Sequence, residues 1–457
     1  MTDFIVKKLP YDLSSHAGLA FIGKYLKRVN VNALIDPLFP VRSGIANSEI
    51  LKSYLALLCM GKSDFDAIES FRDNAFFKRA LGLGSVPSSP TLRQRMDAHA
   101  ASWFELAPKM NQLLLSSRIN GQPIDFGALD CGYTPVDLDT FAMDNGDTKK
   151  ELVGRTYAGV DGYCPFAVYL GSLGYCLELA LRPGVQHSAS ESEYNFERAL
   201  PMAASLVSTP LLVRADSGFC SLKLMQSINA QASALQRDIA FIIKWNPRKS
   251  PVETIAATKT TDSRTAWVSE RVGKRECLWQ EDLALTGVGV DAESNTRPAR
   301  RVYRLTERTI DKRGHALLLP EYVLEGWTTT LPAKFSEIDV IALYCDHATH
   351  EQFHSEFKSD MDLERLPSGK FDTNYLVCQL AAVAMNLLRL IGQNTLNEPD
   401  SPVRHKAKRR RIKTTMQELM FKAGRMMHHA GRWVLGLGKH DPAFEVFERH
   451  YGQLNSA

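Results

Sequence analysis

Three groups of acidic side chains stand where chemistry could use them. Asp137 and Asp139 lie in the run DLDT, at the end of an apolar strand-like stretch, and a period of two puts both on one face. Asp216 closes LLVRADSGF, where an apolar run gives way to a Ser-Gly turn. Open α/β sheets bind ligands beyond their strand ends, although Asp is also a common turn residue. The third group lies in YCDHATHEQFHSEFKSDMDLERLP. At about 100° per residue, Tyr344, His347, Glu351 and Lys358 share a helical stripe roughly 60° wide, with Glu356 well off it. A charged stripe is ordinarily a solvated face, but this one precedes a very apolar helix. A few carboxylates converging from separate elements can hold two Mg²⁺ ions for in-line phosphodiester cleavage. One ion activates the attacking water or 3′-hydroxyl and the other stabilises the leaving oxygen. Lysines and arginines nearby would hold phosphates without competing for metal.

The elements that must position these residues change in texture along the chain. Residues 14–118 read as helical, with Ser63-x-x-Asp66 spaced as a capping box and Ser89-Pro90 as a helix start. The helix opened there, TLRQRMDAHAASWFELAPKMNQLLL, carries Arg93 and Arg95 near its start, after a glycine and proline turn. That is the layout of a helix-turn-helix reader, and equally of a plain helical bundle. From about residue 124, short β-branched and aromatic runs separated by turn-formers predict strands, alternating later with helices, hence a mixed α/β sheet. Residues 250–336 predict strands with polar turns and no long helix. Beyond 337 helices resume, including the apolar NYLVCQLAAVAMNLLRLIGQ, expected to be buried.

Length and composition narrow the class. A chain of 457 residues is too long for one compact core, so two or three domains are expected. No uninterrupted apolar run is long enough for a membrane span, and MTDFIVKKLPYDLSS lacks a signal-peptide core, so the expectation is an unexported protein. The eight cysteines never form C-x2-C pairs, which predicts free thiols and no zinc site. The net charge is only +4, but residues 404–413, RHKAKRRRIK, carry seven basic residues and no acid. Such a block marks a nucleic-acid contact or a solvated linker.

These motifs resemble a known family. Tyr344-x2-His347-x3-Glu351-x6-Lys358 is similar to the Y-x2-R-x3-E-x6-K signature of insertion-sequence DDE transposases that cut through DNA hairpins. VRADSGF, with Asp216, resembles their second-acid motif. DLDTFAMDNGDTKKELVGRTYAGVDGYCPF resembles the first-acid region of one subgroup, in its acid-x-acid step, Asp144-Asn145, Thr148 to Glu151, Arg155 to Tyr157 and Gly162-Tyr163. The resemblance runs in order from about 125 to 390. One residue departs: His347 stands where the signature has arginine, and histidine is charged only part of the time near neutral pH, which implies a shifted pH optimum or lower activity.

The resemblance implies a ribonuclease-H-like α/β mixed sheet formed by 121–250 and 337–395 and interrupted by a β-rich insertion at 251–336. A helical, DNA end-binding domain at 1–120 and a basic helical tail at 396–457 would flank it. Asp137 or Asp139, with Asp216 and Glu351, would hold two Mg²⁺ ions, with Mn²⁺ as the substitute. The Asp-x-Thr step favours Asp139, and the apolar run-in leaves Asp137 open. Tyr344, His347 and Lys358 would position phosphate, with Lys149, Lys150 and Arg155 as further DNA contacts. Arg409, Arg410 and Arg411 would track backbone, and Arg93 and Arg95 would serve the end-binding domain. Trp327, like Trp245, Trp267 and Trp279, is either a stacking platform for a flipped base or part of the insertion's core. The implied partners are terminal inverted repeats and target DNA, met as a homodimer, with a bacterial, cytoplasmic, nucleoid-associated location. The rival readings are a nuclease of the same fold without strand transfer, and a catalytically silent DNA-binding descendant.

Overall fold

The computed structural model describes residues 3–8, 10–247, 250–285 and 298–455. Part of the expected β-rich segment, 286–297, lies outside the described residues.

Five principal helices open the chain: α1 (Leu19–Val29), α2 (Asn47–Cys59), α3 (Ala75–Leu81), α4 (Ser89–Trp103) and α5 (Leu106–Leu115). Their starts differ in detail from expectation. Asp64, not Ser63, caps a 3₁₀ turn at Phe65–Phe71, while the Ser63 hydroxyl donates to the Asp362 carbonyl. Ser88 caps α4 by accepting from the Thr91 N–H, which moves Pro90 one position further into the first turn. The single helix expected over 91–115 breaks between Trp103 and Leu106.

The sheet follows, in the order β1 (Thr134–Thr140), β2 (Phe166–Leu170), β3 (Tyr175–Ala180), α6 (Ser192–Leu206), β4 (Leu211–Ala215), α7 (Leu222–Ala234) and β5 (Ile239–Trp245). Strand β4 runs parallel to both β1 and β5, while β1–β2 and β2–β3 are antiparallel. Helix α8 (Val252–Thr261), ten residues long, comes next in the stretch where strands and no long helix were expected. Four strands then complete the sheet: β6 (Trp267–Arg271), β7 (Lys274–Leu283), β8 (Ala299–Ile310) and β9 (Ala316–Thr329). Because β9 pairs antiparallel with β5, the β-rich segment extends the main sheet instead of forming its own. The full order is β6-β7-β8-β9-β5-β4-β1-β2-β3, a large mixed sheet in an α/β fold.

Strands β4 and β5 are predominantly apolar because both faces are covered, while β1 carries Asp137 and Asp139 among its apolar residues. Val136, Leu138 and Val213 face the main core. Tyr133, Leu212 and Ile242 face the other way, onto Val340 and Ile341 of α9 (Glu337–Cys345), a helix started by a Ser336–Asp339 capping box. After the short α10 (His350–Ser355) comes α11 (Phe371–Thr395). Helix α11 is long and apolar enough to cross a membrane, but 94% of its apolar window is buried inside the protein. It packs on β3 and on α2, α4 and α5, joining the sheet to the N-terminal helices.

The C-terminal segment departs from the helical tail expected there. Strands β10 (Gly424–His429) and β11 (Arg432–Leu437) form a hairpin, followed by α12 (Phe444–Asn455). Ala430 and Gly431, at φ of 47° and 73°, supply the two left-handed residues of its tight turn. Strand β10 also pairs with Leu13–Ser14, and α12 packs on α1.

Candidate active site

The parallel register of β1 and β4 sets Asp137 opposite Arg214 and Leu138 opposite Ala215. One step further, beyond the last paired residues, Asp139 and Asp216 come side by side on strands about 4.8 Å apart. Each carboxylate is oriented by its own backbone. Asp139 Oδ1 accepts from Thr140 N–H at 2.7 Å, and Asp216 Oδ1 accepts from Gly218 N–H at 2.8 Å at the head of a 3₁₀ turn. Two tyrosines register both charges. Desolvation first, then Asp139 and Asp216, push the Tyr157 phenol up to about 12. Tyr344 is likewise pushed well above the phenol range, by desolvation first and then by Asp216 and Asp139. The Tyr157 hydroxyl donates to the Thr140 carbonyl at 3.0 Å.

Asp137 has a different environment, although it shares the strand face. Both its oxygens accept from Arg214, at 2.7 Å from Nε and 2.8 Å from Nη2, and the pair is almost wholly buried. Arg214 Nη1 continues to the Leu343 carbonyl at 2.8 Å and to Asp346 Oδ2 at 3.3 Å. This ion pair fastens the C-terminal end of α9 to the sheet.

The signature residues do not lie on one unbroken helix. Tyr344 lies in the last turn of α9, His347 in a 3₁₀ turn at Asp346–Thr349, Glu351 in the first turn of α10, and Lys358 in a π turn at Glu356–Asp360. Each change of helix type resets the angular phase, so the stripe expected from a uniform helix breaks up. His347 is buried with its ring 5.7 Å from Tyr344. Lys358 Nζ donates to the Ala142 carbonyl at 2.9 Å and pairs with Glu364 at 3.0 Å. Glu351 is exposed, and among the described residues no three His, Cys, Asp or Glu side chains are grouped to hold a metal ion. One turn after Glu351, His354 Nδ1 lies 3.7 Å from Asp139 Oδ2, and its ring stacks on Phe141 at 4.4 Å. Sequence reasoning passed over His354 and gave Tyr157 no role. The available signals were the i, i+3 spacing from Glu351 and the place of Tyr157 in the Arg155–Tyr157 motif.

Much of the first-acid motif ties the chain together. Asn145 Oδ1 accepts from Leu366 N–H at 3.1 Å and from Lys150 Nζ at 2.8 Å, and Lys150 also donates to the Leu366 carbonyl. Glu151 Oε2 accepts from Phe371 N–H at 2.8 Å at the start of α11. Gly162 must be glycine, because a Cβ there would overlap the Met143 carbonyl. Lys149 is exposed, and Arg155 is exposed beside Asp161 at 3.4 Å.

The other expected DNA contacts are largely engaged within the protein. Arg93 lies 5.2 Å over the Phe65 ring, and Arg95 reaches the Asn47 side chain and the Ile45 carbonyl. Arg409 pairs with buried Glu356 at 2.8 Å, Arg410 is buried against Asn397 and the His405 carbonyl, and Arg411 grips Asp360 through two bonds. Trp327 is 1% exposed in the core between α9 and the sheet. Trp245, Trp267 and Trp279 are each covered by a cation, from Arg301, Arg275 and Lys259 at 4.7, 4.4 and 4.2 Å.

The family described as transposase DDE domain group 1 matches residues 11–457, and the chain belongs to it. No curated protein sequence matches the chain. Among solved structures, a cryo-EM structure of the piggyBac transposase synaptic complex with hairpin DNA is similar, at 12% identity and a TM-score of 0.44, over 97% of this chain and 82% of that one.

Proposed function

We propose that this transposase-family protein cuts DNA at the terminal inverted repeats of its own element and joins the freed 3′ ends to target DNA. Asp139, Asp216 and Glu351 are the reactive carboxylates of this reading. The observation that carries it is the register of β1 and β4, from which Asp139 and Asp216 follow side by side at the C-terminal ends of two neighbouring interior strands. The order β5-β4-β1-β2-β3, with β1, β4 and β5 parallel and β2 reversed, supports a ribonuclease-H-like core. Two adjacent carboxylates are the hard-oxygen donor set that suits Mg²⁺ or Mn²⁺. Such ions, when bound, supply nucleophile activation and charge neutralisation at phosphorus. Glu351, one turn before His354 beside Asp139, is the third carboxylate of this reading. Lys358 and Tyr344 then border the scissile phosphate, and the second strand is cut through a hairpin. The helical N-terminal part engages the repeat, and pairing of two ends makes the working species a homodimer.

The test is cleavage of a labelled duplex carrying the element's own end, with Mg²⁺, by wild type and by Asp139→Asn, Asp216→Asn and Glu351→Gln. Wild type is expected to nick the end and form hairpins and joined products. Each variant is expected to bind the duplex and to lose at least about a hundredfold in rate, equivalent to about 2.7 kcal/mol. Nicked ends without joined products would turn the reading to a nuclease. Binding without cleavage by wild type would end the catalytic reading.

A further inference from the structure

A cavity of about 800 Å³ lies between the N-terminal helices and the C-terminal hairpin and α12, and it shares no residue with the carboxylate site. Its lining includes four cations, Lys24, Lys27, Lys52 and Arg79, against one carboxylate, Glu448. Lys52 is 6% exposed and lines the cavity. It makes no hydrogen bond or ion pair among the described residues. Two acids that act on its charge, Asp36 and Glu49, place their hydrogen bonds elsewhere. Asp36 accepts from the Ser48 N–H and hydroxyl at 3.0 and 2.7 Å, and Glu49 accepts from Gly84 N–H. The charges of Glu49 and Asp36 offset part of the cost of desolvating Lys52, but neither bonds it directly, and the ammonium borders a cavity with room for an anion. Lys24, Lys27 and Arg28 crowd one another on α1, and burial followed by that repulsion lowers the Lys24 pKa.

The rest of the wall is mostly apolar, with Phe76, Trp433, Phe444, Phe447 and Tyr451 set among aliphatic residues. Trp433 and Phe444 line the cavity and are 48% and 42% exposed, with the Arg79 guanidinium 3.8 Å over the Trp433 ring. The volume falls in the range of small-molecule sites, about 300–1,000 Å³, and is far larger than an inorganic anion needs. Four cations suit a multiply charged oxyanion, and flat apolar walls suit a planar ring that stacks without sequence preference. We propose that this cavity binds a nucleoside phosphate, with the phosphate on Lys24, Lys27, Lys52 and Arg79 and the base against Trp433 and Phe444. The ligand is either a free nucleotide or the end nucleotide of a DNA strand. The inference does not depend on the role of the carboxylates.

Calorimetric titration of the full chain tests it, with dAMP, deoxyadenosine, inorganic phosphate and a short single strand with or without a 5′-phosphate. The variants are Lys52→Met, Trp433→Ala and, as a control for the carboxylate site, Asp139→Asn. Thermal melts accompany each, and Lys52→Met is expected to melt no lower than wild type because it removes a buried charge. The phosphorylated ligand is expected to bind at least about tenfold tighter than its unphosphorylated form. Lys52→Met should lose about that factor, Trp433→Ala should weaken binding severalfold, and Asp139→Asn should bind as wild type. Binding of dAMP assigns the site to free nucleotide, and binding of the phosphorylated strand alone assigns it to DNA ends. Absence of binding by both, full binding by a folded Lys52→Met, or inorganic phosphate binding as tightly as dAMP would overturn the proposal.

Discussion

Two aspartates separated by one residue on the same strand face meet different fates, and the cause lies on the neighbouring strand. Asp137 is opposite Arg214 and is consumed by it through two charge-assisted bonds in a dry interior. Asp139 is past the end of the pairing, beside Asp216 and 3.7 Å from His354. The acid-x-acid step was visible in the sequence. Which acid is buried was not, because the deciding arginine is 77 residues away and only the fold brings it alongside. Removing one partner of a buried pair leaves the other charge uncompensated, which costs about 3–5 kcal/mol. Asp137→Asn is therefore expected to lose about that much stability in urea unfolding, while Asp139→Asn stays near wild type. A double change, Asp137→Leu with Arg214→Met, should recover most of the loss. Wild-type stability in Asp137→Asn would remove the structural role argued for this pair.

At the scale of elements, the segment from Tyr344 to Asp360 is a chain of short helical pieces held by the basic block behind it. Burial pushes the Glu356 carboxyl up, but Arg389 and Arg409 outweigh it and hold the pKa below the usual range. Arg411 clamps Asp360 in the same turn. The block that reads in sequence as one basic stretch thus divides by function. Arg409, Arg410 and Arg411 are engaged internally, whereas Arg404, Lys406, Lys408 and Lys413 are exposed. Each phosphate neutralised contributes about 0.9 to the slope of log K against log salt. Replacing Lys406 and Lys408 by Gln is expected to flatten that slope for duplex binding by up to about twice 0.9. Arg409→Gln should leave the slope unchanged and instead speed amide exchange across 350–360. A flattened slope in Arg409→Gln would return that arginine to the DNA surface. Most elements were legible where local pattern decides, as in the apolar runs of β4 and β5. They were illegible where a partner decides. The hairpin β10–β11 needs Leu13–Ser14 from the far end of the chain, and the π turn needs Arg409 and Arg411.

Across the whole molecule, the two ends of the chain close on each other. Leu13–Ser14 joins β10, α12 lies on α1, and α11 connects this closure to the sheet. The junction contains a histidine whose environment sets its pH range. His450 is buried, its Nε2 is 3.2 Å from the Tyr25 hydroxyl, and its ring packs against Phe21 at 5.3 Å. Desolvation first lowers its pKa to about 4; Gln453 opposes the shift, and Arg449 and Arg28 add to it. The folded value is depressed below the unfolded one, so the folded state binds fewer protons between the two. The stabilisation is complete above about pH 6.5 and is lost as pH falls toward 4. A shift of that size corresponds to about 3 kcal/mol over the window. Strands β10 and β11 with α12 are therefore expected to loosen from α1 on acidification from pH 7 to 4.5, seen as faster amide exchange in 13–30 and 424–455. His450→Phe, which keeps a ring but cannot be protonated, should flatten that pH dependence. The sheet strands β1 and β4 should exchange alike at both pH values. Equal acid loosening in wild type and His450→Phe would place the sensitivity in other groups.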